Sequence, residues 1–217
     1  MTPSVTRERL AWASRRLLVG VDEVGRGPLA GPVVAAAVAF PPHAPRIKGI
    51  RDSKTLPLAR REALAALIRR RAVVLGIGAA SSRLIDRVNI RVATAIAMRR
   101  ALTRALGLEP GSPWLPAWPT PSSTLILVDG LPFPELGFEH EALVDGDALC
   151  YSVAAAGIVA KTVRDLLMAR LATRHPGYGW ESNMGYGTPD HLAGLETLGP
   201  CRHHRWTFGP ISQLRLL

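Results

Sequence analysis

Val19-Gly-Val-Asp-Glu-Val-Gly-Arg-Gly-Pro-Leu-Ala-Gly-Pro32 constrains this chain more than any other stretch. An apolar strand ends there in two adjacent carboxylates, Asp22 and Glu23, and a glycine-bracketed arginine, Gly25-Arg26-Gly27, follows directly. Pro28 and Pro32 then lead into a second apolar run, Val33 to Phe40, so the glycines turn one strand into another. A dinucleotide-binding glycine motif would instead lead into a helix. Two acids following a buried strand are costly without a partner. Paired oxygen donors suit a divalent cation, and glycine backbone suits close approach to a sugar or phosphate.

Charge extends that reading. The 217 residues carry a formal net charge of +10, which favours a polyanionic partner such as nucleic acid. Only Lys48, Lys54 and Lys161 of the 27 cationic residues are lysine; the rest are arginine. At 47% apolar the chain can bury a sizeable core, and no linker divides it. One domain over residues 1–217 is expected, with a core at about 17–174 and a C-terminal part at about 175–217. Cys150 and Cys201 have neither metal-ligand spacing nor the numbers for a secreted disulfide framework. No segment approaches the roughly 20 apolar residues of a membrane span, and the charged N-terminus lacks a signal-peptide core. A cytoplasmic, soluble monomer is the expectation.

Periodicity places strands at Leu17–Val21, Val33–Phe40, Val73–Ala80 and Leu125–Val128, with a further short one at Ala142–Val144. Helices are expected at Pro57–Arg71, from a Ser81 or Ser82 cap to Val88, at Ile90–Leu106, from Asp147 to about Arg174, and at Pro189–Leu198. The small residues VAAAGIVA let the long helix lie close against a sheet. Glu109–Thr124, rich in proline and tryptophan, and Gly177–Gly187 read as loops. The order implies an α/β fold with a mixed sheet.

Asp129 follows the run Leu125–Val128, and Asp147 precedes a helix. Each taken alone reads as well as a turn residue or a helix cap. Clustered with Asp22 and Glu23, they form a like-charged group that Mg²⁺ or Mn²⁺ would relieve, and two such ions can promote in-line phosphoryl displacement. Side chains alternate along a strand, so Asp22 and Glu23 share a site only if the strand ends or twists there, or if Glu23 reaches round with its longer stem.

Six ordered segments together resemble the type 2 ribonuclease H family, ribonuclease HII. They are GVDEVGRGPLAGPV, Asp52-Ser-Lys-Thr-Leu56, Leu127-Val-Asp-Gly130, Gly146-Asp147 leading into SVAAAGIVAKTVRD, GYGW…GYGTPDH, and HHRWTFGP. The resemblance implies a ribonuclease H-like fold, a five-stranded mixed sheet flanked by helices with a helical C-terminal extension. It implies that Asp22, Glu23, Asp129 and Asp147 are catalytic and hold Mg²⁺ or Mn²⁺, two ions with substrate bound. The implied substrates are RNA–DNA hybrids and ribonucleotides embedded in duplex DNA, cut on the 5′ side to leave a 3′-hydroxyl and a 5′-phosphate. Gly25, Arg26 and Gly27 match the segment that contacts the ribose 2′-hydroxyl, which distinguishes RNA from DNA. Tyr186 matches the tyrosine that packs on the neighbouring deoxyribose, and Lys54 and Lys161 match positions near the substrate backbone. A sliding-clamp partner is neither implied nor excluded by the sequence.

The chain departs from the family pattern at Gly157, commonly serine, at Asn183-Met184, frequently His-Lys, and at Asp145, frequently lysine. His203 and His204 invite a general-base reading, but a metal can lower the pKa of its bound water unaided, and tail packing or phosphate contact is the better expectation. His191 reads as structural, as do Arg164 and Asp165. A structure-specific resolvase and a non-catalytic nucleic-acid-binding protein are the rivals. Gly25-Arg26-Gly27 argues against the first and retention of all four acids against the second.

Overall fold

The computed structural model describes residues 2–108 and 123–213. β1 (Leu17–Val24), β2 (Val33–Ala39) and β3 (Val74–Ala80) form an antiparallel meander. β4 (Thr124–Asp129) and β5 (Glu141–Leu143) join it in parallel, giving the order β3-β2-β1-β4-β5. The expected five-stranded mixed sheet is therefore present. β1 and β2 are apolar almost throughout because helices cover both of their faces.

One face packs on α4 (Ile90–Ala105). Val19, Val21, Ala35 and Ala37 meet Ala97, Met98 and Ala101 there. The other face packs on α6 (Tyr151–Arg174) and α2 (Leu58–Arg71). A Cβ on Gly20 would overlap the main chain of Ser152 and Val153, so α6 lies directly on β1, as its small residues predict. α3 (Ser82–Val88) is capped by Ser81, whose Oγ accepts the Leu84 N–H at 3.3 Å. Glu109–Ser122, most of the proline-rich loop, lies outside the described residues.

Three expectations need correction. The helix predicted from Asp147 to Arg174 is two helices, α5 (Gly146–Leu149) and α6, parted by extended backbone at Cys150. The N-terminal segment causes the break. Ser4 donates its N–H to Leu149 O and accepts from Tyr151 N, and Glu8 Oε1 accepts the Ser152 N–H at 2.8 Å. Glu8 belongs to α1 (Thr6–Ala13), a helix that its unpatterned charges conceal. The Gly177–Gly187 loop holds one short turn of helix, α7 (Trp180–Asn183). Beyond it, α8 (Pro189–Leu198) and α9 (Gly209–Gln213) supply the helical C-terminal part. Among the described residues no helix is long and apolar enough to cross a membrane.

Candidate active site

Register brings the first two acids together. Val21 opposite Val128 is the last pair of the parallel β1–β4 ladder, so Asp22 and Asp129 come next, side by side on neighbouring strands. Leu18 and Leu127, even steps back along each strand, pack with Val153, which puts both aspartates on the α6 face. Asp22 is 7% exposed and accepts the Glu23 N–H through Oδ1 at 2.6 Å. Its Oδ2 lies where a side chain at position 157 would go, so Gly157 leaves the room this carboxylate fills.

Asp129 Oδ1 accepts the Gly146 N–H at 2.7 Å, tying the start of α5 to the end of β4. Asp147 follows in the first turn of α5, where the Ala148 N–H faces its carboxylate. The cap position is Asp145, held at φ 56° in the left-handed region. Burial raises the pKa of Asp22 well above the usual carboxylate range, and the charges of Glu23, Asp129 and Asp147 raise it further. Asp129 and Asp147 are also raised by burial. Lys54, in a 3₁₀ turn whose Asp52 side chain accepts the Lys54 N–H, draws both down again.

Glu23 arrives differently. β1 keeps its pairing through Val24 opposite Val34, so the strand neither ends nor loses its alternation at the acids. Glu23 therefore leaves from the opposite face and depends on its longer stem. Burial raises its carboxyl, Arg26 opposes that, and the Asp129 charge raises it again. Oε1 accepts from Arg26 Nη1 at 3.2 Å, while Oε2 is buried without a hydrogen-bond partner. Among the described residues, no group of three His, Cys, Asp or Glu side chains is closed tightly enough to hold an ion as it stands. The set still fits a hard divalent cation: the donors are all oxygen, their charges disfavour one another, and one buried oxygen lacks a partner.

A second wall adjoins the acids. The Gly27 Cα faces the Tyr186 ring, 3.7 Å from where a Cβ would stand. That ring is 48% exposed, yet its main chain is fixed: Tyr186 O accepts from Thr188 N and from His191 Nδ1, both at 2.8 Å. Arg26 lies over Phe133 as well as beside Glu23. Asn183 spends its amide on the loop, donating to Tyr178 O and accepting from Gly185 N at 2.8 Å each. Lys161 is not brought to the acids. Its ammonium pairs with Asp165 Oδ1 at 2.6 Å, and Arg61 holds the other oxygen of Asp165.

His191 and His204 are buried and spend their ring nitrogens within the protein. Cys201 N–H donates to His204 Nδ1, so His204 carries its proton on Nε2 and gives it to His191 Nε2 at 3.0 Å. Trp180 Nε1 donates to that same nitrogen, leaving His191 Nδ1–H for Tyr186 O. Both rings are neutral, and burial pushes His204 down to about 4. His203 packs edge-on against His175. Two buried arginines hold the main chain here, Arg164 in the structural role its sequence suggests and Arg205, which sequence reasoning passes over. Arg164 donates to the carbonyls of Ala30, Pro32 and Met184, and Arg205 to those of Gly25, Arg26 and Gly31. The only sequence signal for Arg205 is its place inside HHRWTFGP.

Comparison with known proteins places the chain in a family. A family model for ribonuclease HII matches residues 19–209. Ribonuclease HII of Granulibacter bethesdensis is 50% identical over 213 residues, covering 95% of this chain and 90% of that protein. Ribonuclease H2 from Pyrococcus horikoshii has a similar fold, with a TM-score of 0.71 at 24% identity over 92% of this chain and 97% of that one. So does Bst-RNase HIII in complex with Mn²⁺, with a TM-score of 0.67 at 21% identity over 96% and 73% of the two chains. The expected ribonuclease H-like fold is thereby shown, and the chain belongs to the ribonuclease HII family of nucleases.

Proposed function

We propose that this enzyme cuts the RNA strand of RNA–DNA hybrids, and cuts 5′ of ribonucleotides embedded in duplex DNA, leaving a 3′-hydroxyl and a 5′-phosphate. One observation supports this most: Asp22 and Asp129 stand abreast at the ends of neighbouring parallel strands, with Asp147 beside them. Asp22, Glu23, Asp129 and Asp147 hold the divalent ions, Mg²⁺ or Mn²⁺. When bound, those ions supply charge neutralisation at the phosphate and activation of the attacking water. The Mn²⁺ bound by the related ribonuclease HIII is in keeping with this chemistry.

The chain's own residues do the rest. Asp22, fixed by the Glu23 N–H, stands at the centre of the acid group. Lys54 places a positive charge near Asp129 and Asp147, within range of a phosphate held by the acids. Gly25, Arg26 and Gly27 present main chain to the ribose, and the Tyr186 ring stacks on the sugar next to it. Lys161 reaches the substrate backbone only by leaving Asp165, which makes it the weakest member of the set. A single catalytic unit working in the cytoplasm as a monomer completes the proposal.

The test is cleavage of a labelled duplex carrying one ribonucleotide, beside an all-DNA duplex of the same sequence, with and without Mg²⁺ or Mn²⁺. Metal-dependent cutting 5′ of the ribonucleotide alone is the expected result. Equal cutting of the all-DNA duplex would favour a resolvase-like enzyme, and no cutting of either would overturn the proposal.

A further inference from the structure

The Gly25–Gly27 turn is shaped from beneath. Arg205 is fully buried, and its guanidinium donates to Gly25 O at 2.6 Å, to Arg26 O at 2.7 Å and to Gly31 O at 3.0 Å. Among the described residues no carboxylate pairs with it, and its four hydrogen bonds all go to peptide oxygens. In a trans peptide the carbonyl and the following N–H point in opposite directions. Drawing Gly25 O and Arg26 O inward therefore turns the N–H groups of Arg26 and Gly27 outward. Neither N–H has an acceptor among the described residues, and both residues are exposed. The Tyr186 ring borders the same opening.

We infer that Arg205 is a positioning residue for ribonucleotide selection: it aims two main-chain donors, Arg26 N–H and Gly27 N–H, at an oxygen acceptor on the substrate sugar or its phosphate. This rests on the function proposed above. The planar fork of arginine is essential to the arrangement, since one side chain must reach carbonyls on both limbs of the turn at once. An ammonium can hold at most part of that set. Burial and the nearby Arg164 charge draw the Arg205 pKa down to about 9, still leaving it a cation at neutral pH. His204, immediately before it in the chain, reaches Tyr186 through His191. Residues 204 and 205 thus support both sides of the opening.

The test compares wild type with Arg205→Lys in two assays: kcat/KM on a duplex containing one ribonucleotide, and affinity for the all-DNA duplex of the same sequence. A donor misaimed toward the reacting sugar is expected to lower kcat/KM about tenfold or more, with all-DNA affinity within about twofold. Unchanged kcat/KM overturns the inference, and so do equal losses in the two assays, which would mark a merely structural role. If Arg205→Lys fails to fold, replacing Gly27 by glycolic acid deletes the Gly27 N–H and weakens Arg26 O as the acceptor of Arg205, striking the same line from arginine to donor. The same selective loss is then expected, and full activity overturns the inference. A wild-type protein that cuts no ribonucleotide-containing duplex defeats the proposed function itself, a result distinct from any difference between variants.

Discussion

The two walls of the site are built on opposite principles. At the carboxyl ends of β1 and β4 the functional groups are side chains, packed where each raises the pKa of its neighbours. At the Gly25–Gly27 turn the functional groups are main-chain atoms, and the charged side chains beneath them, Arg164 and Arg205, are buried supports. The acid wall is unstable without a counter-ion, whereas the turn is over-determined by hydrogen bonds. Under the proposed function, a cation completes the first wall and substrate the second.

Asp22→Asn separates them most sharply. It is expected to lower cleavage on the order of a thousandfold or more in Mg²⁺ while the fold persists. Full activity in that variant would refute the assignment. The sign of its effect on stability is also set. A carboxyl whose folded pKa is raised contributes stability when protonated, and that contribution disappears as pH rises through the raised value. At neutral pH without metal, Asp22 thus destabilises the protein, and Asp22→Asn should melt at a higher temperature. A lower melting temperature would contradict the crowding of the acids.

Gly20→Ala acts on the support of the acid wall. Its Cβ would press on the main chain of Ser152 and Val153, and a loss of about 1–3 kcal/mol in denaturant unfolding is expected. Unchanged stability would mean that α6 does not lie directly on β1. Tyr186→Ala acts on the other wall and should lower cleavage at a single embedded ribonucleotide by about tenfold, more than it lowers duplex binding. Equal losses in the two assays would remove its stacking role.

The smallest effect concerns pH. His204 is held neutral, so it contributes stability above its unfolded pKa of about 6.5 and loses it as pH falls toward the folded value of about 4. Melting curves across that window should decline less steeply in His204→Asn than in wild type. Parallel curves would show that the imidazole pair is not the acid-sensitive element.

Asp22 and Glu23 were legible because their signal is local, an apolar run ending in carboxylates, whereas Asp129 and Asp147 read alone as well as a turn residue or a cap and joined the set through the family resemblance. Even there, the route of Glu23 required the structure, since only the β1–β2 pairing shows the strand continuing past Asp22. The turn was legible as glycines and prolines, but not its support. Arg205 is separated from Gly25 by 180 positions, and nothing local distinguishes a buried arginine from the many exposed ones. The break at Cys150 was hidden for the same reason, because Ser4 and Glu8 impose it from the far end of the chain. Asn183 shows the converse, a departure from the family pattern whose local role in holding Gly185 is plain once the loop is seen.

Whether the acids hold cations at all is best measured directly, by titrating the metal-free protein with Mn²⁺ and following the free ion by electron paramagnetic resonance. Saturable uptake by wild type is expected, weakened about tenfold or more in Asp22→Asn and in Asp129→Asn. Equal uptake by all three proteins would contradict a cation-binding role for the carboxylates at the ends of β1 and β4.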